Sequence, residues 1–139
     1  MRLVLDTDVI VAAIRSPTGA SAALLRAARS GKVKLLASVP LFIEYEAVCL
    51  RDEHRKAAGL TAPKIQQFLD ALASLVEPVT PYYVWRPQLR DPDDEMVLEA
   101  AVSGSANVLV TFNVKDYGQA PERFGLEALT PAMTLRKLK

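Results

Sequence analysis

The chain opens on RLVL, an arginine followed by three branched apolar residues, and the apolar run stops abruptly at Asp6. A short apolar run without alternation is the pattern of a strand buried on both faces, so a parallel strand is expected at residues 2–5. Residues 8–15 read as the first turns of a helix. After the SPTG break at 16–19, SAALLRAARSG predicts a second helix, with Ser21 as its cap and Gly31 past its end. KVKLLAS predicts the second strand. The apolar spacing of Val39, Leu41, Phe42, Tyr45, Val48 and Cys49 suits a helix that leaves Glu44 and Glu46 on different faces, with residues 51–58 as its extension.

Further on, TAPKIQQFLDALASLVEPV carries Thr61 as a cap, Pro63 in the first turn, and apolar residues at 65, 68, 69, 72, 75 and 76, close to a period of 3.6. Four prolines in PVTPYYVWRPQLRDPDD leave room for at most a short strand around 82–85 before a loop. EMVLEAAVSGS reads as helix and ANVLVTFN as a buried strand, and GLEALTP with MTLRKLK closes the chain. The order β-α-α-β-α-α-loop-α-β, with a last short element of either kind, predicts an α/β fold: a central parallel sheet covered by helices on both faces. Ligands of such sheets bind beyond the carboxyl ends of the strands.

Composition narrows the class. The 139 residues fit one domain spanning 1–139, and half of them are hydrophobic, enough for a core. The single cysteine, Cys49, cannot close an internal disulfide, and no cysteine/histidine cluster offers a zinc site. A reducing compartment is therefore expected. Asp6 and Asp8 interrupt the apolar opening, unlike a signal peptide, and charged residues break every other apolar run, so a cytoplasmic protein without membrane spans is expected. The net charge of +1 does not announce a nucleic-acid binder, and most of the basic residues read as solvated helix faces.

The candidate chemistry is acidic. Asp6 directly follows the first strand, and Asp116 lies shortly after the strand NVLVT, with Asn113 between. Parallel strands put both on one rim. Asp91, Asp93, Asp94 and Glu95 gather at the start of the helix that precedes that strand, and Glu44 follows the second strand. Each has an ordinary reading as well: a cap, a first-turn carboxylate favoured by the helix dipole, a solvated helix residue, or a turn. As a set, carboxylates from four separated places repel one another unless a cation is present, and all-oxygen donors select Mg²⁺ or Mn²⁺ over zinc.

These pieces resemble the PIN-domain family, in its bacterial and archaeal branch of toxin components related to the VapC type. The resemblance spans nearly the whole chain: LDTDVIVAAI with SPTG, SVPLFIEYEAV, RDPDDEMVLEAAVSGSANVLVTFNVKDYG and GLEALTPAMTL, of which the RDPDD…VLVTFNVKDY stretch is the most specific. It implies a three-layer fold whose mostly parallel sheet of four to five strands is flanked by helices. Asp6 matches the first family aspartate, Glu44 the helix glutamate, Asp94 the third acidic residue and Asp116 the last. Glu46 competes with Glu44, and Asp91 or Glu95 with Asp94. Thr7 stands beside Asp6, and Thr111 resembles a family hydroxyl that orients a ligand or water. Two positions depart from the pattern. Asp8 stands where the family often has an asparagine supporting the metal loop, and Asn113 where many relatives carry an aspartate.

The resemblance implies hydrolysis of RNA phosphodiester bonds with Mg²⁺ or Mn²⁺ held by Asp6, Glu44, Asp94 and Asp116. It also implies a homodimer and an antitoxin protein that blocks the acidic cleft with a basic side chain. Arg15, Lys115 and the basic group at 51–56 are the candidates to meet the RNA backbone. Tyr82, Tyr83 and Trp85 are candidates to stack on bases, although aromatics beside prolines more often pack onto a helix. His54, the only histidine, reads as a surface residue in the charged DEHRK stretch. Two other classes stay open: a catalytically weak fold of this kind that binds RNA or protein, which Asn113 favours, and a phosphate-transfer enzyme, whose aspartate motif DTD resembles. A flavodoxin-like module is disfavoured, since no glycine-rich loop follows the first strand.

Overall fold

The computed structural model describes residues 1–81, 89 and 91–139. In chain order the elements are β1 (Arg2–Leu5), α1 (Thr7–Arg15), α2 (Ala20–Arg29), β2 (Lys34–Ala37), α3 (Val39–Cys49), α4 (Asp52–Ala58), α5 (Ala62–Leu75) and β3 (Val76–Pro78). There follow α6 (Pro92–Ser103), β4 (Val108–Val110), a 3₁₀ turn (Val114–Tyr117), α7 (Ala120–Arg123), β5 (Glu127–Leu129) and α8 (Pro131–Lys137).

The strands form one five-stranded sheet in the order β3-β2-β1-β4-β5, with every neighbouring pair parallel. Leu3 lies opposite Leu35 on one side and Val108 on the other, and Leu5 opposite Val110. β1 is thus the middle strand, and Leu3, Val4 and Leu5 are buried as their unbroken apolar run predicts. Helices flank the sheet: α6 packs across β2, β1 and β4, while α1 packs against α2 and α3. The fold is the expected α/β architecture. Among the described residues no single helix is long and apolar enough to cross a membrane.

Several local expectations are corrected. Ser21 does not cap α2; Gly19 holds the N-cap position, and Ser21 is buried one residue into the helix. Residues 51–58 do not extend α3. That helix stops at Cys49, and Arg51 turns extended (φ −62°, ψ 140°) before Asp52 starts a new one. α5 ends at Leu75 rather than including Val76, because the β-branched Val76 begins a strand that pairs with β2. Pro78 closes that strand at the sheet edge, where its missing N–H costs no ladder bond. The strand expected around 82–85 falls outside the described residues. His54 is not a surface residue: its side chain is only 15% exposed, beside Glu53.

Candidate active site

The parallel sheet delivers the ends of β1 and β4 to the same rim. At the end of β1 the Asp6 backbone N–H donates to the Val110 carbonyl at 2.8 Å, so the last residue pair of the two strands also fixes the first acidic group. Asp6 then caps α1, its Oδ1 accepting from the Thr7 N–H at 2.7 Å. Its other oxygen, Oδ2, accepts from the Thr111 hydroxyl at 2.8 Å and from the Tyr117 hydroxyl at 3.0 Å. The residue is 8% exposed. Burial pushes its pKa up and the charge of Asp91 adds to this, against the three donors, which favour the ionised form.

Tyr117 reaches two carboxylates. Beyond Asp6, its hydroxyl lies 3.5 Å from Asp94 Oδ1. A phenol has one proton, and the shorter distance assigns it to Asp6. Burial, with the charges of Asp6 and Asp94, holds the Tyr117 pKa far above its ordinary value, so the group stays a donor. Asp94, in the first turn of α6, has its pKa pushed up to about 6 by burial and by the charges of Asp6, Asp91 and Asp116.

Asp8, also in the first turn of α1, turns to β4. Its Oδ2 accepts from the Phe112 N–H at 3.1 Å and from Asn113 Nδ2 at 3.2 Å, with Thr111 Oγ1 at 3.5 Å. Its Oδ1 is buried without a hydrogen bond among the described residues. Burial and the charge of Asp6 push its pKa up to about 6. Thr111 spends its proton on Asp6 and accepts from the Asn113 N–H at 3.0 Å. The two positions that depart from the family pattern, Asp8 and Asn113, are therefore in contact.

The remaining candidates separate. Asp91 caps α6, its Oδ1 accepting from the Asp93 N–H at 2.9 Å. It also lines a cleft of about 620 Å³ with Asp94, Asp116, Lys115, Tyr117 and Arg123. Glu95 is buried and accepts from the Leu89 N–H, which assigns it to holding the chain before α6. Glu46 lines an apolar groove with Val39, Phe42 and Ile43. Glu44 is half-buried on α3 and has no hydrogen bond or ion pair among the described residues. Its neighbour Tyr45 is buried and donates its hydroxyl to the Leu5 carbonyl, pinning α3 to the end of β1. Of the candidate basic residues, Lys115 lines the acidic cleft, while Arg15 ends α1 and the group at 51–56 runs from the N-cap of α4 into its last turn. Tyr82, Tyr83 and Trp85 lie outside the described residues.

Sequence reasoning missed Tyr117, Tyr45 and Arg123. Tyr117 carried one signal, its place directly after Asp116 in a strand-end motif; a tyrosine in a helix of apolar spacing, like Tyr45, carries none. Among the described residues, no three carboxylates stand close enough to surround an ion by themselves. Asp6 and Asp94 face each other across one hydroxyl instead.

A family model described as the PIN domain matches residues 2–115. No curated protein matches the chain. Among solved structures, that of VapBC2 from Rickettsia felis bound to a DNA fragment from their promoter aligns with a TM-score of 0.60 at 19% identity. The alignment covers 92% of this chain and 97% of that one, a likeness of fold.

Proposed function

The chain belongs to the PIN-domain family, and on that premise we propose that it is a metal-dependent ribonuclease acting as the toxin of a type II toxin-antitoxin pair. The single observation that carries the reading is the Tyr117 hydroxyl set between Asp6 and Asp94, at 3.0 and 3.5 Å, on the rim where β1 and β4 end. A structural core has no use for two carboxylates in that position, since each raises the cost of ionising the other.

The donor set fits a hard cation. Mg²⁺ keeps several waters and takes only one or two carboxylates directly, which suits a pair of aspartates better than an enclosing cage. Asp6 and Asp94 would hold it, with Asp116 and Glu44 acting through water. A bound divalent cation supplies charge neutralisation on the phosphodiester and a more acidic attacking water. The protein's own contribution is placement. Thr7, Thr111 and Tyr117 fix the Asp6 carboxylate through three hydrogen bonds, so its orientation is set before substrate arrives. Because Tyr117 gives its proton to Asp6, the lone pairs of Asp94 stay available to the cleft. Lys115 and Arg123 on the cleft wall suit the backbone of a polyanion.

The wider reading is a single domain over 1–139, acting in the cytoplasm as a homodimer with an antitoxin partner. The structural likeness to VapBC2 supports the toxin assignment. The test is cleavage of a mixed RNA pool by purified protein with Mg²⁺, with Mn²⁺ and with EDTA, beside Asp6→Asn and Asp94→Asn. Metal-dependent cleavage lost in both variants is the expected result. No cleavage with either metal, from protein free of any bound inhibitor, sinks the nuclease reading in favour of a binding module.

A further inference from the structure

From the contact between Asp8 and Asn113 we infer that the two form one positioning unit: the Asn113 carboxamide orients the Asp8 carboxylate, whose charge then serves the cation site beside Asp6. The inference rests on the proposed metal site and adds a residue to it.

Asn113 Nδ2 and the Phe112 N–H both donate to Asp8 Oδ2, at 3.2 and 3.1 Å, and neither gives Oδ1 a partner. One oxygen of the carboxylate is thus held by two donors from the end of β4, while the other is buried and meets no hydrogen-bond donor in good geometry among the described residues, although the Val9 backbone N–H lies near enough to favour the charge. A purely structural link between β4 and α1 needs no charge: an asparagine at position 8 would offer a carbonyl oxygen to the same two donors. An ionised group is costly to leave half-satisfied beside the Asp6 carboxylate. That cost has a return if a cation comes to the same rim, because an oriented carboxylate next to Asp6 adds attraction there.

The contact also fixes which partner bears the charge. Asn113 is exposed at the strand exit and Asp8 is half-buried under it. An aspartate at 113 would bring a second carboxylate oxygen within hydrogen-bonding distance of Asp8 Oδ2, and two such groups cannot both stay ionised at ordinary energetic cost. Charge at 8 therefore demands a neutral donor at 113. Exchanging the pair removes that repulsion and moves the charge outward to the rim, but one atom of an amide at position 8 cannot both accept from the Phe112 N–H and donate to a carboxylate at 113, so one of the two bonds is lost.

The experiment is a double-mutant cycle of Asp8→Asn, Asn113→Asp and the exchanged pair, read by thermal unfolding in EDTA and again in Mn²⁺. In EDTA, Asn113→Asp is expected to lower the midpoint by about 5 °C, and adding Asp8→Asn to it to recover part of that loss by removing the repulsion. An exchanged pair as unstable as Asn113→Asp alone, or an unchanged midpoint for Asn113→Asp, overturns the unit. In Mn²⁺, Asp8→Asn is expected to lose at least half of the wild-type rise in midpoint. A wild-type rise that Asp8→Asn fully retains overturns the charge role alone. A wild-type chain that Mn²⁺ does not stabilise removes the metal site, and the charge role with it.

Discussion

The Thr111 hydroxyl donates to the Asp6 carboxylate at 2.8 Å across 105 residues of sequence. It is the buried link between the first strand and the fourth on the rim where the acidic residues gather. Asp6 is held there from three sides, and the two hydroxyl groups among its holders make separable predictions.

Thr111→Val keeps the shape of the side chain and deletes the hydroxyl. Asp6 Oδ2 loses one of its two donors and the Asn113 N–H loses its acceptor. The variant is expected to unfold at lower denaturant concentration, by about 1–3 kcal/mol. Asp6 also becomes harder to ionise, since Thr111 is the strongest of the hydrogen bonds that favour its charged form.

Tyr117→Phe removes the hydroxyl shared by Asp6 and Asp94 while keeping the buried ring. Cleavage is expected to fall on the order of 10- to 100-fold, as for other partners that orient ligand side chains. Stability is expected to drop by only about 1 kcal/mol. A variant with wild-type kcat and kcat/KM would show that the hydroxyl does not position the carboxylates.

The pH dependence of stability has a definite sign. Asp8 and Asp94 have pKa values pushed up to about 6, against an unfolded value near 3.8, so between those pH values the native chain holds more protons than the unfolded one. In EDTA, the midpoint is therefore expected to fall as pH rises from about 4 to about 6 and to level off above. Asp8→Asn and Asp94→Asn should each flatten the fall. A midpoint that rises through the same window contradicts the assignment.

Lys115 shares a wall with Asp94 and Asp116 but bonds to neither. Lys115→Ala is expected to raise KM for RNA by about 3- to 10-fold with kcat nearly unchanged, and to reduce the slope of log affinity against log salt by up to about one. Equal loss in kcat would place the lysine in the reaction itself.

The sequence carried the fold wherever a local signal was unambiguous. The apolar runs of β1 and β4 appear in place because both faces are buried, and the Thr61 cap because its hydroxyl accepts from the Lys64 N–H. β3 was lost because its first residue, Val76, continues the apolar period of α5, and only pairing with β2 ends the helix at Leu75. Of the acidic residues, the strand-end topology put Asp6 and Asp116 on one rim, while Asp94 at the start of α6 was singled out by the family resemblance. That Glu95 turns instead to Leu89, and Glu46 to an apolar groove, depends on helix phase, which neighbouring carboxylates do not reveal. The Tyr117 bridge and the Asp8–Asn113 contact are long-range side-chain pairings, set by where β1 and β4 stop.

The middle place of β1 in the sheet also has a consequence in time. Its partner β2 follows within thirty or so residues, but β4 and the turn bearing Tyr117 come about a hundred residues later. A chain emerging from the ribosome can pair β1 with β2 early, yet Asp6 then has neither Thr111 nor Tyr117 to hold it. Contacts of such sequence separation form slowly and late. With the proposed chemistry, an unfinished chain is harmless to the message that encodes it until β4 and the turn bearing Tyr117 have been made.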